Sequence, residues 1–244
     1  MKRALVNNVL VTTTAALLLC SAGGSLKAQD QGRGRGRGEE QREQQRVSPE
    51  EQQRRVQEEQ KRSSDYQHHL DGQMRSVQQQ NAELQQQKRA AAYRAQQEYL
   101  AQLQQQRQRV PPSRDYRSDP YVSTPHTYRY KVGDAFRETN QYGVDVLRQA
   151  VNNGYQQGYR AGQADREDHW RGNYQNSQIY RDANFGYTGN YVDESDYNYY
   201  FREGFRRGYD DGYNSRFQYG SSANGSYSIL SNVLNGILGL VSIH

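Results

Sequence analysis

Residues 154–162 read Gly-Tyr-Gln-Gln-Gly-Tyr-Arg-Ala-Gly, and residues 204–212 read Gly-Phe-Arg-Arg-Gly-Tyr-Asp-Asp-Gly. In both stretches glycine occupies every fourth position, and an aromatic residue follows each of the first two glycines. Positions four apart lie on one face of an α-helix. The pattern therefore predicts two helices, at about 134–168 and 195–217, each with one face lined by glycine.

These glycines lower the stability of the predicted helices, which indicates that they have a structural role. A glycine inside a helix costs about 1 kcal/mol relative to alanine, so six cost on the order of 6 kcal/mol. That cost is comparable with the stability of a small domain. Small residues repay it where two helix backbones approach closely. We expect a helix-packing interface, with tyrosine hydroxyls in water, formed by Gly154, Gly158, Gly162, Gly204, Gly208, Gly212, Tyr155, Tyr159, Phe205 and Tyr209.

Two arrangements would use such an interface: an antiparallel hairpin within the chain, or pairing between chains. The alternative is a disordered, adhesive Gly-Tyr repeat. Leu147 and Val151, together with the charged pairs 206–207 and 210–211, favour helix, because residues four apart can form ion pairs on a helix surface.

The composition predicts a small aromatic core. Leu, Ile, Val and Phe together make up 39 of 244 residues, whereas 17 of the 21 tyrosines lie between Tyr116 and Tyr219. A combined share of Leu, Ile, Val and Phe this low is below that of ordinary globular chains.

The N-terminus has the pattern of an export signal. Lys2 and Arg3 precede an apolar run over 9–19, and residues 26–28 provide a cleavage site before Gln29. The sequence predicts a cleaved signal peptide over 1–28 and a location in the periplasm, the cell envelope or outside the cell. The alternatives are a membrane anchor, for which the run is short, and a lipoprotein signal at Cys20.

Loss of residues 1–28 would change two bulk properties. Cys20 is the single cysteine, so the mature chain would form no disulfide. The segment also carries three positive charges and no acid, so its removal lowers the formal net charge from +5 to +2. The basic pI is therefore a weak argument for nucleic-acid binding, which we do not expect.

Three polar segments follow the signal. Residues 29–47 are an Arg/Gly-rich stretch, which we interpret as a disordered tail. Residues 48–109 are rich in Gln, Arg and Glu and predict a long helix or weak coiled coil, with Ser48 as its N-cap. A disordered stalk is the alternative there. Residues 110–130, which contain Pro111 and Pro112, are interpreted as a linker.

The heptad seam of the Gln-rich segment is short. Leu70, Met74, Val77 and Leu84 fit it, whereas Asn81 interrupts it. A stable coiled coil needs three to four good heptads. We therefore expect weak self-association at best.

Residues 131–244 are predicted to form a Gly/Tyr-repeat helical module. Its last part, 226–243, carries seven aliphatic residues on one predicted helix face. Such a helix should bury that face against the other helices or a second chain. Membrane contact is the alternative partner for this segment.

No catalytic motif or paired-cysteine metal site is recognisable, and we predict no cofactor, no metal and no enzyme activity. The closest approach to a site is Asp165 with His169, four residues apart, which could share a helix face as metal ligands do. His68 and His69 are adjacent, so they should point to different sides of a surface helix.

The glycine stretches and the tyrosine-rich segment between them resemble uncharacterised exported bacterial proteins that carry Gly-Tyr-x-x-Gly-Tyr repeats after a Gln-rich helix. The resemblance covers about the last half of the chain. It implies export and carries no assigned activity.

We therefore expect a mainly α protein with extensive disorder, built from a long Gln-rich helix, two Gly/Tyr-patterned helices and a C-terminal apolar helix. The expected function is that of an exported, non-enzymatic structural or interaction protein of the cell envelope, which associates with itself or with a protein partner. The alternative is a module that binds an envelope glycan or a polyanion through Arg and Tyr.

Overall fold

The computed structural model describes residues 47–109 and 114–243. The predicted signal peptide, almost all of the Arg/Gly-rich tail and both linker prolines lie outside these residues. The prediction of a mainly helical protein with a long Gln-rich helix is confirmed. The helices are α1 (Pro49–Gln86), α2 (Ala90–Arg109), α3 (Pro120–Ser123), α4 (Gln141–Glu167), α5 (Gln178–Asp182), α6 (Glu194–Asn214) and α7 (Ser231–Leu238). The strands are β1 (Tyr128–Val132), β2 (Ala135–Thr139), β3 (Gly220–Ala223), β4 (Ser226–Ile229) and β5 (Val241–Ser242).

The Gln-rich segment forms two antiparallel helices where the sequence predicts one. Ser48 caps α1, and its side chain accepts a hydrogen bond from the amide of Glu51 at 3.2 Å. The chain reverses at Lys88, which has a positive φ of 58°. The side chain of Gln96 in α2 then donates to the carbonyl of Val77 in α1 at 3.0 Å. Neither glycine nor proline marks this turn, so the sequence carries no ordinary signal for it.

The predicted heptad seam is used inside the chain. Leu70, Val77 and Leu84 are buried, and Asn81, which interrupts the seam, is buried with them. Leu103 of α2 is fully buried in the same core as Leu70 and Val77. The seam therefore holds the Gln-rich helices against each other and against the rest of the protein.

The stretch that the sequence assigns to a linker contains packed structure. Asp119 caps α3, and Tyr116, Tyr121 and Val122 are buried together with Val56 of α1. β1 and β2 then form a hairpin around Gly133, whose φ is +59°. The three-stranded sheet has the order β2-β1-β5.

This hairpin corrects the predicted start of the first glycine helix. The helix begins at Gln141, not near Asp134, and its cap is Asn140, whose side chain accepts the amide of Tyr142 at 3.1 Å. The alternation of Tyr128, Tyr130 and Val132 has the period of a strand. The paired strand β2 occupies residues that the sequence analysis placed at the start of the helix.

The C-terminal apolar helix is shorter than predicted. The segment Asn224-Gly225 turns β3 into β4, with both residues at positive φ, as a tight hairpin requires. α7 follows and packs on α4 and α6, and Leu238 is 1 % exposed. Across the described ranges, no helix combines the length and the apolar character that a membrane span requires.

The two glycine helices, α4 and α6, form the centre of the fold and run parallel. Gly154 lies beside Phe201, and Gly162 lies beside Tyr209 and Tyr213, so both helices advance in the same direction. The expectation of an antiparallel hairpin was wrong. Residues 168–193 return the chain along α4, so that α6 begins near the same end of the pair as α4. A short hairpin loop cannot make this return and would leave the two helices antiparallel.

Candidate functional site

The six repeat glycines meet at one helix crossing inside the chain. The α4 glycines, Gly154, Gly158 and Gly162, face the carbonyl groups of Phe201, Phe205 and Tyr209. The α6 glycines, Gly204, Gly208 and Gly212, face the carbonyl groups of Val151, Tyr155 and Tyr159. Each glycine thus faces the carbonyl three residues before the corresponding glycine of the other helix. The repeat in sequence becomes an approximate two-fold relation between two parallel helices.

The crossing has no room for any larger residue. A Cβ at Gly158 would lie 2.8 Å from the carbonyl carbon of Phe205, and one at Gly208 would lie 2.8 Å from that of Tyr155. Backbone atoms cannot rotate away as side chains can. The approach also places glycine Cα–H groups against carbonyl oxygens, contacts that recur at close helix pairs. Glycine is required here for space and not for an unusual φ.

The aromatic members of the predicted site flank the crossing and are buried. Tyr155 and Phe205 are fully buried, and Tyr159 and Tyr209 are 5 % exposed. Along α6, rings at every fourth position stack with centroid separations of 6.0–6.4 Å: Tyr197, Phe201, Phe205, Tyr209 and Tyr213. The core is therefore aromatic, as the composition predicts.

The expectation that the tyrosine hydroxyls stay in water was wrong for Tyr155 and Tyr209. The Tyr155 hydroxyl on α4 donates to Asp211 on α6 at 2.8 Å. The Tyr209 hydroxyl on α6 donates to Asp165 on α4. Each helix thus sends one tyrosine to a buried aspartate of the other. A buried hydroxyl needs a partner, and these aspartates supply it.

Both aspartates have further partners that hold them in place. Asp211 is fully buried and accepts the amides of Gln218 and Tyr219 at 2.9 and 2.8 Å. Asp165 also pairs with Arg89 at the start of α2. Burial raises the pKa of Asp165, which the Tyr209 and Arg89 contacts oppose. Burial likewise raises the pKa of both tyrosines, so they stay protonated and donate.

Asp165 is thus a structural anchor, and the alternative of a metal site with His169 finds no common helix face. α4 ends at Glu167, and His169 lies beyond that end with φ at +52°. Asp168 caps the second Gln-rich helix, where its carboxylate accepts the amides of Ala91 and Ala92 at 2.8 and 2.9 Å. In the part of the chain that the structure describes, no cluster of three or more His, Cys, Asp or Glu residues is arranged to hold a metal ion.

His69 has a role that sequence reasoning missed. Its Nε2 lies 2.9 Å from Asp182 on α5, and its Nδ1 lies 3.2 Å from Glu194 at the start of α6. An imidazole satisfies two carboxylates only when both ring nitrogens carry protons. The hydrogen bond with Asp182 raises the pKa of His69, and the charge of Glu194 adds to the effect. Only the fold reveals this arrangement of one histidine between two carboxylates, because the two acids lie more than 100 positions after His69 in the chain.

Comparison of this chain with protein-family models, with curated proteins and with solved structures finds no match.

Proposed function

We propose that the protein is an exported, non-enzymatic structural or interaction protein of the cell envelope. The observation that carries the proposal is the use of the repeats. All six glycines and both buried Tyr–Asp pairs serve one helix crossing. The residues that stand out in the sequence therefore build a rigid body, and they hold it without a disulfide in the mature chain.

The free-energy cost of the crossing supports a scaffold role. Six helical glycines cost on the order of 6 kcal/mol, which is comparable with the net stability of about 5–15 kcal/mol that is typical of folded proteins. Close packing of the two backbones and the buried hydrogen bonds offset that cost. A fold that depends so strongly on rigidity suits a protein whose task is to present a surface.

The partner would bind outside the glycine crossing, because both glycine faces are occupied within the chain. The described surface offers partly exposed aromatic rings, notably Phe136, Trp170 and Phe217, which are 66, 37 and 46 % exposed. Aromatic side chains with polar surroundings are enriched at protein interfaces. We propose a protein partner for this surface, either a second copy or another envelope component, and no nucleic acid.

Export is tested by the chain's own N-terminus. The full-length protein, expressed in a bacterial host with its natural N-terminus, should be recovered from the periplasm or envelope, and its first residue should be Gln29. Oligomeric mass is measured on the same material by light scattering. Recovery from the cytosol with Met1 retained would contradict export.

The second candidate is a module that binds an envelope glycan or polyanion. The observation that favours it is the stacking of arginine on tyrosine at the surface. The Arg114 guanidinium lies 5.6 and 5.7 Å from the ring centres of Tyr116 and Tyr191, and Arg202 lies 5.9 Å from that of Tyr180. This function requires salt-sensitive retention on cell-wall material or an anionic polymer. Absence of retention at low salt would remove it.

A further inference from the structure

A cavity of about 140 Å³ lies where four separate segments of the chain meet. Its walls come from α1, from the segment between Tyr121 and His126, from the β1–β2 hairpin and from residues 191–193. A cavity assembled from distant segments has a fixed shape when those segments are held together. Here Arg55 of α1 donates to the carbonyl of Thr124 at 2.8 Å, and Arg62 pairs with Asp193 at 2.8 Å.

One buried polar atom that lines this cavity, Nε2 of His126, has no hydrogen-bond partner among the described residues. Tyr121 and the half-exposed side chain of Arg137 line the same cavity. The one charged contact of Arg137 joins its Nε to Asp196 at 3.4 Å, which leaves the guanidinium fork open. A buried polar atom without a partner is uncommon in proteins and calls for an explanation.

The acids of the lining, in contrast, are each paired with an arginine. Glu58 pairs with Arg54 at 2.6 Å, and Glu138 pairs with Arg129 at 2.9 Å. Asp193 is held by Arg62, as described above. The lining contains four arginines and three acids, so its formal charge is +1. The donors of the Arg137 guanidinium, the ring nitrogen of His126 and the hydroxyl of Tyr121 therefore face a wall with a small positive excess.

The electrostatic environment of His126 agrees with this balance. Burial lowers the pKa of His126 to about 4, and the charge of Arg55 lowers it as well, whereas the charges of Glu51 and Glu138 oppose this. The ring is therefore neutral near pH 7, and one of its nitrogens carries a proton that it can donate.

We infer that this cavity binds a compact oxyanion, a carboxylate or a phosphate group. The guanidinium of Arg137 supplies two parallel N–H donors, a geometry that matches the two oxygens of such a group. Nε2–H of His126 and the hydroxyl of Tyr121 supply the other two donors. The inference goes beyond the proposed scaffold function and does not depend on export.

The test is an NMR titration of the histidine ring signals of the full chain. Sodium phosphate and sodium acetate are titrated separately, with sodium chloride at matched ionic strength as the blank. Saturable shifts of His126 are expected with at least one of the two ions, with no change at His69 or His169. Bound anion should also raise the pKa of His126, because an opposite charge favours the protonated ring. The stronger of the two ions identifies phosphate or carboxylate as the preferred group.

Variants separate a built site from general charge attraction. Arg137→Met should weaken binding by about ten-fold or more, as loss of a donor to a charged group does. Arg148→Met is the matched control, since Arg148 is 43 % exposed against 47 % for Arg137 and lies on α4, outside the cavity. It should bind as the parent does. His126→Phe keeps a ring beside Tyr121 but lacks the histidine signal, so its anion binding is measured by calorimetry. The variant should show no heat of anion binding.

Two results would overturn the inference. One is the absence of saturation with both phosphate and acetate. The other is an equal loss of binding in Arg137→Met and Arg148→Met, which would mean that net charge alone attracts the ion. A response to a neutral sugar with none to either anion would reassign the cavity to polyhydroxylated ligands. Thermal melts of all variants exclude unfolding as the cause of a loss.

Discussion

Replacement of Gly158 by alanine should destabilise the protein, although alanine is the better helix former. In an uncrowded helix the exchange stabilises by about 1 kcal/mol, partly because it restricts the unfolded chain. At the crossing the new Cβ would lie 2.8 Å from the carbonyl carbon of Phe205 and 2.9 Å from its Cα, whereas ordinary contact starts at 3.4 Å. The two helices must move apart to admit it.

The size of the effect follows from that displacement. Insertion of a methyl group into a well-packed region costs about 1–3 kcal/mol, occasionally more. The upper part of that range applies here, because the obstructing atoms belong to a helix backbone. After subtraction of the propensity gain, we expect a net loss of about 2 kcal/mol. For a protein of this size that corresponds to a fall in Tm of about 4–8 °C.

Gly72→Ala is the matched control. Gly72 is an interior residue of α1, and a Cβ built there has no atom within 4 Å apart from its chain neighbours and the adjacent backbone of its own helix. This exchange should raise Tm by about 2–4 °C. The assay is a thermal melt followed by far-UV circular dichroism, with urea unfolding as a second measure. Opposite signs at the two sites support the crossing. A rise in Tm for Gly158→Ala equal to that for Gly72→Ala would refute it.

Three further predictions concern the contacts around the crossing. Tyr155→Phe removes the donor that Asp211 accepts and should cost about 1.5–3 kcal/mol of unfolding free energy in urea, the value of a hydrogen bond to a charged group; a loss below 0.5 kcal/mol would speak against the pair. The pKa of His69 is raised by its two carboxylate partners, so the stability that it contributes is present below the unfolded pKa of about 6.5 and lost as pH rises through the higher folded pKa. His69→Gln should therefore flatten the fall in stability as pH rises above about 6.5, and an unchanged slope would contradict the pairing of His69 with its two carboxylates. Leu238→Ala should cost about 2–5 kcal/mol, whereas Val241→Ala, at 57 % exposed, should change little; equal effects would mean that α7 is not docked.

The periodic parts of the chain could be predicted from sequence. Glycine at every fourth position indicates a helix face, and the cost of the glycines indicates that a backbone approaches it. The cap at Ser48 follows from local chemistry that acts within one turn. The docking of α7 follows from its aliphatic content, because such a surface is unfavourable in water. These inferences need only residues within a few positions of one another.

The remaining features depend on residues that are far apart in sequence. The parallel direction of α4 and α6 is decided by the path of residues 168–193, which has no clear period. The Tyr–Asp pairs join residues 44 and 56 positions apart, and the composition of either helix does not indicate its partner. The anion cavity likewise joins α1 to β2 and to the segment before α6.

Two local signals in the sequence indicate turns at places where the helical period continues. The pair Asn224-Gly225 is a strong hairpin signal, and the structure turns there between β3 and β4. Gly133-Asp134 between alternating apolar residues is a similar signal for the β1–β2 turn. In both regions the helical period overlaps the turn and strand residues, so a prediction from periodicity alone extends the helices into the strands.

The most direct test of the central claim is a distance measurement between the two glycine helices. Spin labels are placed on cysteines in a chain in which Cys20 is serine, at Gln163 with Asn214 and at Gln163 with Ser195, all of which are exposed. Gln163 follows Gly162, which lies level with Tyr209 and Tyr213. Ser195 then lies roughly 20 Å further along the helix axis, from a rise of about 1.5 Å per residue.

Parallel helices within one chain predict a short distance for Gln163 with Asn214 and a long one for Gln163 with Ser195. Both distances should persist when labelled protein is diluted with unlabelled protein. The reverse order would mean an antiparallel pair. Loss of the short distance on dilution would mean that the glycine faces join two chains, and either result would contradict the account.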